Sequence, residues 1–246
     1  LGPYFLAAVD SKGKVPEHQD ILKVNEQAYG LTGLVALYHK TNDYELISLI
    51  RKAYEAFYKR FHDAKHGGFY DGFDLRGHIP VETKSYNSTV YVATSFLLEL
   101  AQADKPNAAK YVTVLEELAD MVISHFIDYK TGWIIENFTN EWKPDWRDWQ
   151  KQGAFTVGVV GHNYQAAWFL MRVATLPGIS PQVATLYRMH AKVILESMLS
   201  KPTTDWERGG FYDAFKRETD EPMWNKNKAW WQQTEAIMAL TLANLQ

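Results

Sequence analysis

The sequence predicts an all-α chain of repeated ribbon–helix–helix units, and three observations carry that prediction. A glycine-led aromatic pattern recurs four times, as Gly2-Pro3-Tyr4-Phe5-Leu6-Ala7-Ala8-Val9-Asp10, Gly67-Gly68-Phe69-Tyr70-Asp71-Gly72-Phe73-Asp74, Gly132-Trp133-Ile134-Ile135-Glu136-Asn137-Phe138-Thr139 and Gly209-Gly210-Phe211-Tyr212-Asp213-Ala214-Phe215-Lys216. The first glycines of successive copies lie 65, 65 and 77 residues apart, which marks one supersecondary unit used repeatedly. Between the copies apolar residues fall at i, i+3, i+4 and i+7, and Pro106, Pro177-Gly178 and Pro181 punctuate the joints.

Taken in order, the first ribbon at residues 2–10 leads to a helix over 24–40, with Leu31, Leu34, Val35 and Tyr38 on one face. A second helix follows over 43–62, and the short Thr41-Asn42 joint makes the two antiparallel. The ribbon from Gly67 ends in the turn Leu75-Arg76-Gly77 and precedes helices over 85–103 and 107–127. The ribbon from Gly132 precedes helices over 160–175 and 181–200, and the ribbon from Gly209 precedes a last helix over 227–245. Aromatic and β-branched residues after each glycine read as short extended strands. Such units stack as an open solenoid or a closed ring.

Composition excludes several functions. The 246 residues carry 26 Lys+Arg against 29 Asp+Glu, a net charge of −3, with no basic stripe, so no nucleic-acid partner is expected. No apolar run approaches a membrane span, no signal peptide is visible, and a cytoplasmic location is the expectation. With no Cys there is no disulfide, thiolate metal site or Cys nucleophile. HExxH, GxSxG and GxxxxGK[ST] are absent. The aromatic excess of 12 Phe, 14 Tyr and 9 Trp serves a core or a stacking surface equally.

If the first helix of each pair lines an inner ring, all the inner N-termini open at one end. Asn25 and Gln27, Asn87 and Tyr91, His162 and Gln165, and Trp230, Trp231 and Gln233 then converge there, and indoles, amides and an imidazole suit a sugar. Each residue has a second reading. His162 either caps its helix or acts in the site, and Asn87 either caps or binds. One of Trp230 and Trp231 belongs to the core and the other to the pore. Glu235 is a pocket acid or a salt-bridge partner. His62, His66, His78, His125 and His190 read mainly as solvated, and Trp142, Trp146 and Trp149 as loop packing or a lid. Asp71, Asp74, Asp213, Glu136 and Glu235 at the ribbon end leave glycoside hydrolysis by paired carboxylates open.

These residues resemble the N-acylglucosamine 2-epimerase family, with its cellobiose 2-epimerases and mannose-type aldose–ketose isomerases. The likeness rests on His66-Gly67-Gly68-Phe69-Tyr70, Lys84-Ser85-Tyr86-Asn87, Gly161-His162-Asn163-Tyr164-Gln165-Ala166-Ala167-Trp168 and Lys228-Ala229-Trp230-Trp231-Gln232-Gln233-Thr234-Glu235-Ala236. It implies an (α/α)6 toroid of twelve helices with short ribbons on one face. This chain would then be a single toroid domain over 1–246 lacking about one N-terminal and four C-terminal helices. The Leu1 start and the unpaired final helix fit a fragment, whose exposed apolar faces would pair as a homodimer. The implied chemistry is C2 proton transfer on a ring-opened aldose, with no metal or other cofactor. It makes His162 one of two catalytic histidines and Asn87 and Trp231 sugar contacts; the residues' own chemistry suits Tyr91 and Gln165 to hold hydroxyls. The chain departs from the family at Gln165, where a glutamate orients the histidine. It also departs at Thr89 and Tyr91, in a stretch that usually reads Asn-Thr-His-Leu-His, and at Tyr29, where an arginine is common. The second histidine of the family lies beyond residue 246. A hydrolase or lyase of the same architecture, and a diverged carbohydrate-binding protein, remain the alternatives.

Overall fold

The structure, a computed structural model, describes residues 4–14, 20–76, 78–146, 156–223 and 226–245. Gly2, Pro3, Gly77 and Trp149 lie outside them, so the start of the first ribbon, the end of the turn after the second, and one tryptophan of the loop go undescribed. The chain forms two compact units, Leu1–Leu118 with Phe138–Lys143, and Ala119–Asn137 with Pro144–Gln246.

In the first unit β1 (Ile21–Lys23) runs straight into α1 (Val24–Thr41), followed by α2 (Tyr44–Phe61). The joint is built by caps: Asn42 adopts a left-handed conformation after α1, and the Asp43 carboxylate accepts from Glu45 N and Leu46 N to open α2. Strands β2 (Gly72–Asp74) and β3 (Ile79–Val81) complete an antiparallel sheet with β1, registering Leu22 with Phe73 and Phe73 with Pro80. β4 (Thr83–Ser85) pairs with β5 (Asn137–Thr139), whose Phe138 and Thr139 belong to this unit. The second inner helix is wound as π-helix over Asn87–Tyr91 and Ala93–Leu97 before becoming α3 (Leu98–Ala103). α4 (Ala108–Met121) follows. The core is aromatic: Phe57 lies 5.1–5.6 Å from Phe61, Phe69 and Phe96, and Tyr111 meets Tyr54 edge-on at 4.9 Å.

In the second unit β6 (Val157–Val159) leads into α5 (Val160–Val173), α6 (Pro181–Ser200) returns, and β7 (Ala214–Lys216) pairs antiparallel with β6 ahead of α7 (Trp230–Leu245). Ser180 caps α6 through Val183 N, with Pro181 at its first position. Trp133 is fully buried and stacks on Phe215 at 5.8 Å. The seven predicted helices are thus observed, each within a few residues of its expected bounds. No strand forms over 4–14; the strand that leads into α1 is Ile21–Lys23, and Phe5 is instead held by both its N–H and its carbonyl on the Gln27 side chain.

The Gly-Gly-Phe-Tyr-Asp motif has a mechanical meaning. Both glycines of each copy have positive φ, between 68° and 83°, a region that other residues rarely enter. The Asp71 carbonyl accepts from Val24 N, the first residue of α1, and its carboxylate accepts from Thr83 Oγ1 and Ser85 Oγ ahead of the next inner helix. Asp213 repeats this, its carbonyl accepting from Val160 N of α5 and its carboxylate from Ala229 N ahead of α7. A lysine after each motif braces the hairpin. Lys84 Nζ bonds Asp63 and the Gly67 carbonyl, and Lys228 Nζ bonds Asp205 and the Gly209 carbonyl.

Candidate active site

The second unit assembles its site around the start of α5. Asn163 Oδ1 accepts from Ile134 N while its Nδ2 donates to the Val159 carbonyl. This ties the segment after Gly132 to the helix, and Glu136, two residues on, thereby faces His162. The two glutamate oxygens lie 3.0 and 2.9 Å from His162 Nδ1, with the imidazole 21% exposed and the carboxylate 7%. A carboxylate there keeps a proton on Nδ1 and leaves the lone pair on Nε2. The cap of α5 is Val159, which makes no side-chain cap bond, so His162 is no helix cap.

From α7, the Trp231 ring packs 5.3 Å from the His162 ring. Gly161 allows this approach, because a Cβ there would come within 2.6 Å of the indole. Gly161 N–H also donates to Gln232 Oε1. Gln165 is buried, one turn beyond His162. One turn beyond Trp231, Glu235 accepts from Trp168 Nε1–H; its partner is an indole and not a salt bridge. Burial raises the Glu235 carboxyl above the usual range, against the pull of Trp168 and the His162 charge.

In the first unit, Asn87 and Asn25 line one cavity of about 360 Å³ together with Lys23, Asp71 and Ser85, a size that suits a small ligand. The first turns of two inner helices therefore line one cavity, whose walls also include Ile21, Val24 and Val81. The cap position of this helix is Tyr86, which makes no side-chain cap bond; Ser88 Oγ accepts from Ser85 N. Tyr91 is half-buried, its ring 5.1 Å from that of Tyr29.

Several expectations are corrected. Gln27 and Gln233 are not site residues: each grips a ribbon backbone with both ends of its amide, Gln27 at Phe5 and Gln233 at Phe211. Of the adjacent pair, Trp230 is 78% exposed, and Trp231 is the partly buried one, packed against the core cluster of Val157, Val159 and Ala214. His62 is not solvated, since it stacks on Tyr58 at 4.4 Å and bonds Glu117. Trp142 packs in the first unit, donating to the His66 carbonyl with Lys84 Nζ 4.7 Å from its ring, and Trp146 carries the Arg217 guanidinium at 5.0 Å. Glu136 went unread as a partner of His162 because it lies 26 residues away, outside any helical period. Among the described residues no three His, Asp or Glu side chains are placed to hold a metal ion, and no helix is long and apolar enough to cross a membrane.

Helix pairs joined by ribbons, with an imidazole and an indole at the inner helix starts, place the chain in the α/α-toroid class. It belongs to the N-acylglucosamine 2-epimerase (GlcNAc 2-epimerase) family, whose sequence profile matches residues 93–246, more than half of the chain. Among solved structures it is similar to a D-mannose isomerase (TM-score 0.78, 17% identity, 92% of this chain and 56% of that one). It is also similar to the cellobiose 2-epimerase from Bacillus thermoamylovorans B4167 (TM-score 0.72, 15% identity, 98% and 62%). An unsaturated glucuronyl hydrolase specific for heparin is similar at a TM-score of 0.60, with 13% identity over 92% of this chain and 60% of that one. The chain thus spans less than two thirds of the length of these proteins. No curated protein sequence matches it.

Proposed function

We propose that the chain acts in a sugar epimerase or aldose–ketose isomerase, with His162 as the general acid/base at C2 of a ring-opened aldose. The substrate class is an N-acylhexosamine, a mannose-type hexose or a disaccharide. The observation that carries this reading is the imidazole itself: Nδ1 is held by Glu136 and the ring lies beside Trp231, in a family of sugar epimerases. His162 Nε2 takes the C2 proton, the C2–H electron pair becomes the C1–C2 double bond, and the carbonyl oxygen takes up the charge. Protonation of the enediolate on the opposite face of C2 gives the epimer, whereas protonation at C1, with the O2 proton passing to O1, gives the ketose. General acid–base help of this kind is worth roughly 10²–10⁴-fold. Trp231 stacks on the sugar, while Gln165 and Glu235 bond its hydroxyls.

The test is proton NMR in D2O of mannose, glucose, N-acetylmannosamine and cellobiose with this chain, alongside His162→Ala. Deuterium at C2 that depends on His162 supports the reading, and a folded protein that exchanges none of the four sugars overturns it. A hydrolase using ribbon carboxylates has one specific observation in its favour, the glucuronyl hydrolase likeness in fold. Against it, Asp71 and Asp213 already bind inner helix starts. Asp213→Asn keeps an oxygen for Ala229 N, so it retains C2 exchange under our reading and loses all turnover under the other.

A further inference from the structure

Glu136 is surrounded by more charge than its bond to His162 requires. Arg217 follows β7 with a side chain 3% exposed, and its Nη2 donates to Asp128 Oδ2 at 2.8 Å and to Thr131 Oγ1 at 3.4 Å. Its Nε and Nη1 find no hydrogen-bond partner among the described residues. Burial lowers the guanidinium, and the charges of Asp128, Glu136 and Glu218 sustain it. On the other side of the imidazole stands α7, which brings Trp231 and the carboxyl of Glu235. The position three residues after His162, where a carboxylate on the same helix would compete, is the amide Gln165.

We propose that Glu136 is the positioning residue of His162, and that Arg217 acts through Glu136 to set how strongly it does so. The inference rests on the reading of His162 as general base. By accepting Nδ1–H, Glu136 selects the tautomer whose Nε2 lone pair takes a proton, and its charge favours the imidazolium that results. Arg217 opposes that second effect, its charge competing with the imidazolium for Glu136. Removal of the glutamate charge and removal of the arginine charge therefore move His162 in opposite directions. A structural ion pair has no such signature.

The experiment is 15N NMR of the histidine-labelled chain across pH, with the His162 signals assigned by His162→Asn. Wild type is expected to show the Nδ1–H tautomer. Glu136→Gln should lower the His162 midpoint by about one pH unit or more and abolish the tautomer bias. Arg217→Gln should raise the midpoint, and Arg217→Lys should leave it near wild type. An unchanged midpoint and tautomer in Glu136→Gln overturns the proposal, as does a shift in Arg217→Gln of the same sign as in Glu136→Gln. If Glu136→Gln fails to fold, Glu136→Asp decides: it keeps the charge, so His162 must keep the Nδ1–H form, and a switch to Nε2–H overturns the assignment. C2 exchange in D2O forms a separate arm. Glu136→Gln should slow it about 100-fold while mannose still quenches tryptophan fluorescence. Wild type that exchanges no sugar sinks the reaction yet leaves the tautomer result standing.

Discussion

Gln27 grips Phe5 as Gln233 grips Phe211: in both, the side-chain oxygen accepts the phenylalanine N–H, the amide nitrogen donates to its carbonyl, and 22 residues separate the partners. Each glutamine is the fourth residue of its inner helix. Asn163, the fourth residue of α5, does related work at Ile134 N. The clasp satisfies two backbone groups of a ribbon that has few strand partners. Gln27→Ala and Gln233→Ala should each cost about 1–3 kcal/mol, read by chemical denaturation, with Gln27→Glu failing to restore the loss because a carboxylate cannot donate to the carbonyl.

The two lysine braces share one geometry and differ in burial. Lys84 and Asp63 are 0% and 2% exposed, Lys228 and Asp205 27% and 11%. Asp63→Asn leaves a buried ammonium without its counter-charge and should cost about 3–5 kcal/mol, whereas Asp205→Asn should cost clearly less. Burial pushes the Asp63 carboxyl up, but the Lys84 ammonium with Lys65 N–H and the His66 side chain and N–H outweighs it, holding the group well below the usual carboxylate range. A depressed carboxylate stabilises the fold above about pH 4 and loses that contribution on acidification. Asp63→Asn should therefore flatten the acid limb of a stability–pH curve.

Gly161→Ala places a methyl group against the Trp231 ring and Gln232 Cγ. The indole must move, at about 1–3 kcal/mol, and its contact with His162 goes with it. Lower melting temperature together with shifted tryptophan emission is the expected pair of results. Unchanged emission would mean that the glycine serves only the helix start.

Glu235 carries the opposite pH signature to Asp63. Its carboxyl is raised by burial, so the folded state holds a proton longer than the unfolded one, and stability falls as pH rises above about 4.3. Glu235→Gln keeps an oxygen for Trp168 Nε1–H and removes the charge. It should be at least as stable as wild type at pH 7 and should lose that decline, measured as melting temperature from pH 4 to 8.

Much of this was legible from sequence because the helices are amphipathic and the motifs repeat. The bounds of α1 and α2 follow from apolar spacing and from the Thr41-Asn42-Asp43 joint, where cap chemistry is local. The strand Ile21–Lys23 was not legible, since three residues give no periodicity and their order comes from pairing with Gly72–Asp74. Within the site, His162, Gln165, Trp231 and Glu235 were readable as one cluster of inner helix starts. Glu136 was not, because only tertiary ties through Asn163 bring it to the imidazole. Gln27 and Gln233 misled for a related reason: an amide in a first turn serves a ribbon as well as a hydroxyl, and the chain alone does not say which.

The π-helical winding after Tyr86 bears on every comparison of this chain with its relatives. Hydrogen bonds that close at i→i+5 instead of i→i+4 take up extra chain in each ring, so side chains beyond Asn87 point in directions that their numbers do not foretell. Thr89 and Tyr91, matched by counting to a histidine-bearing stretch, lie within this winding. Equivalence along Asn87–Leu97 is a matter of superposed direction, and one inserted residue is enough to separate two helices that alignment would call the same.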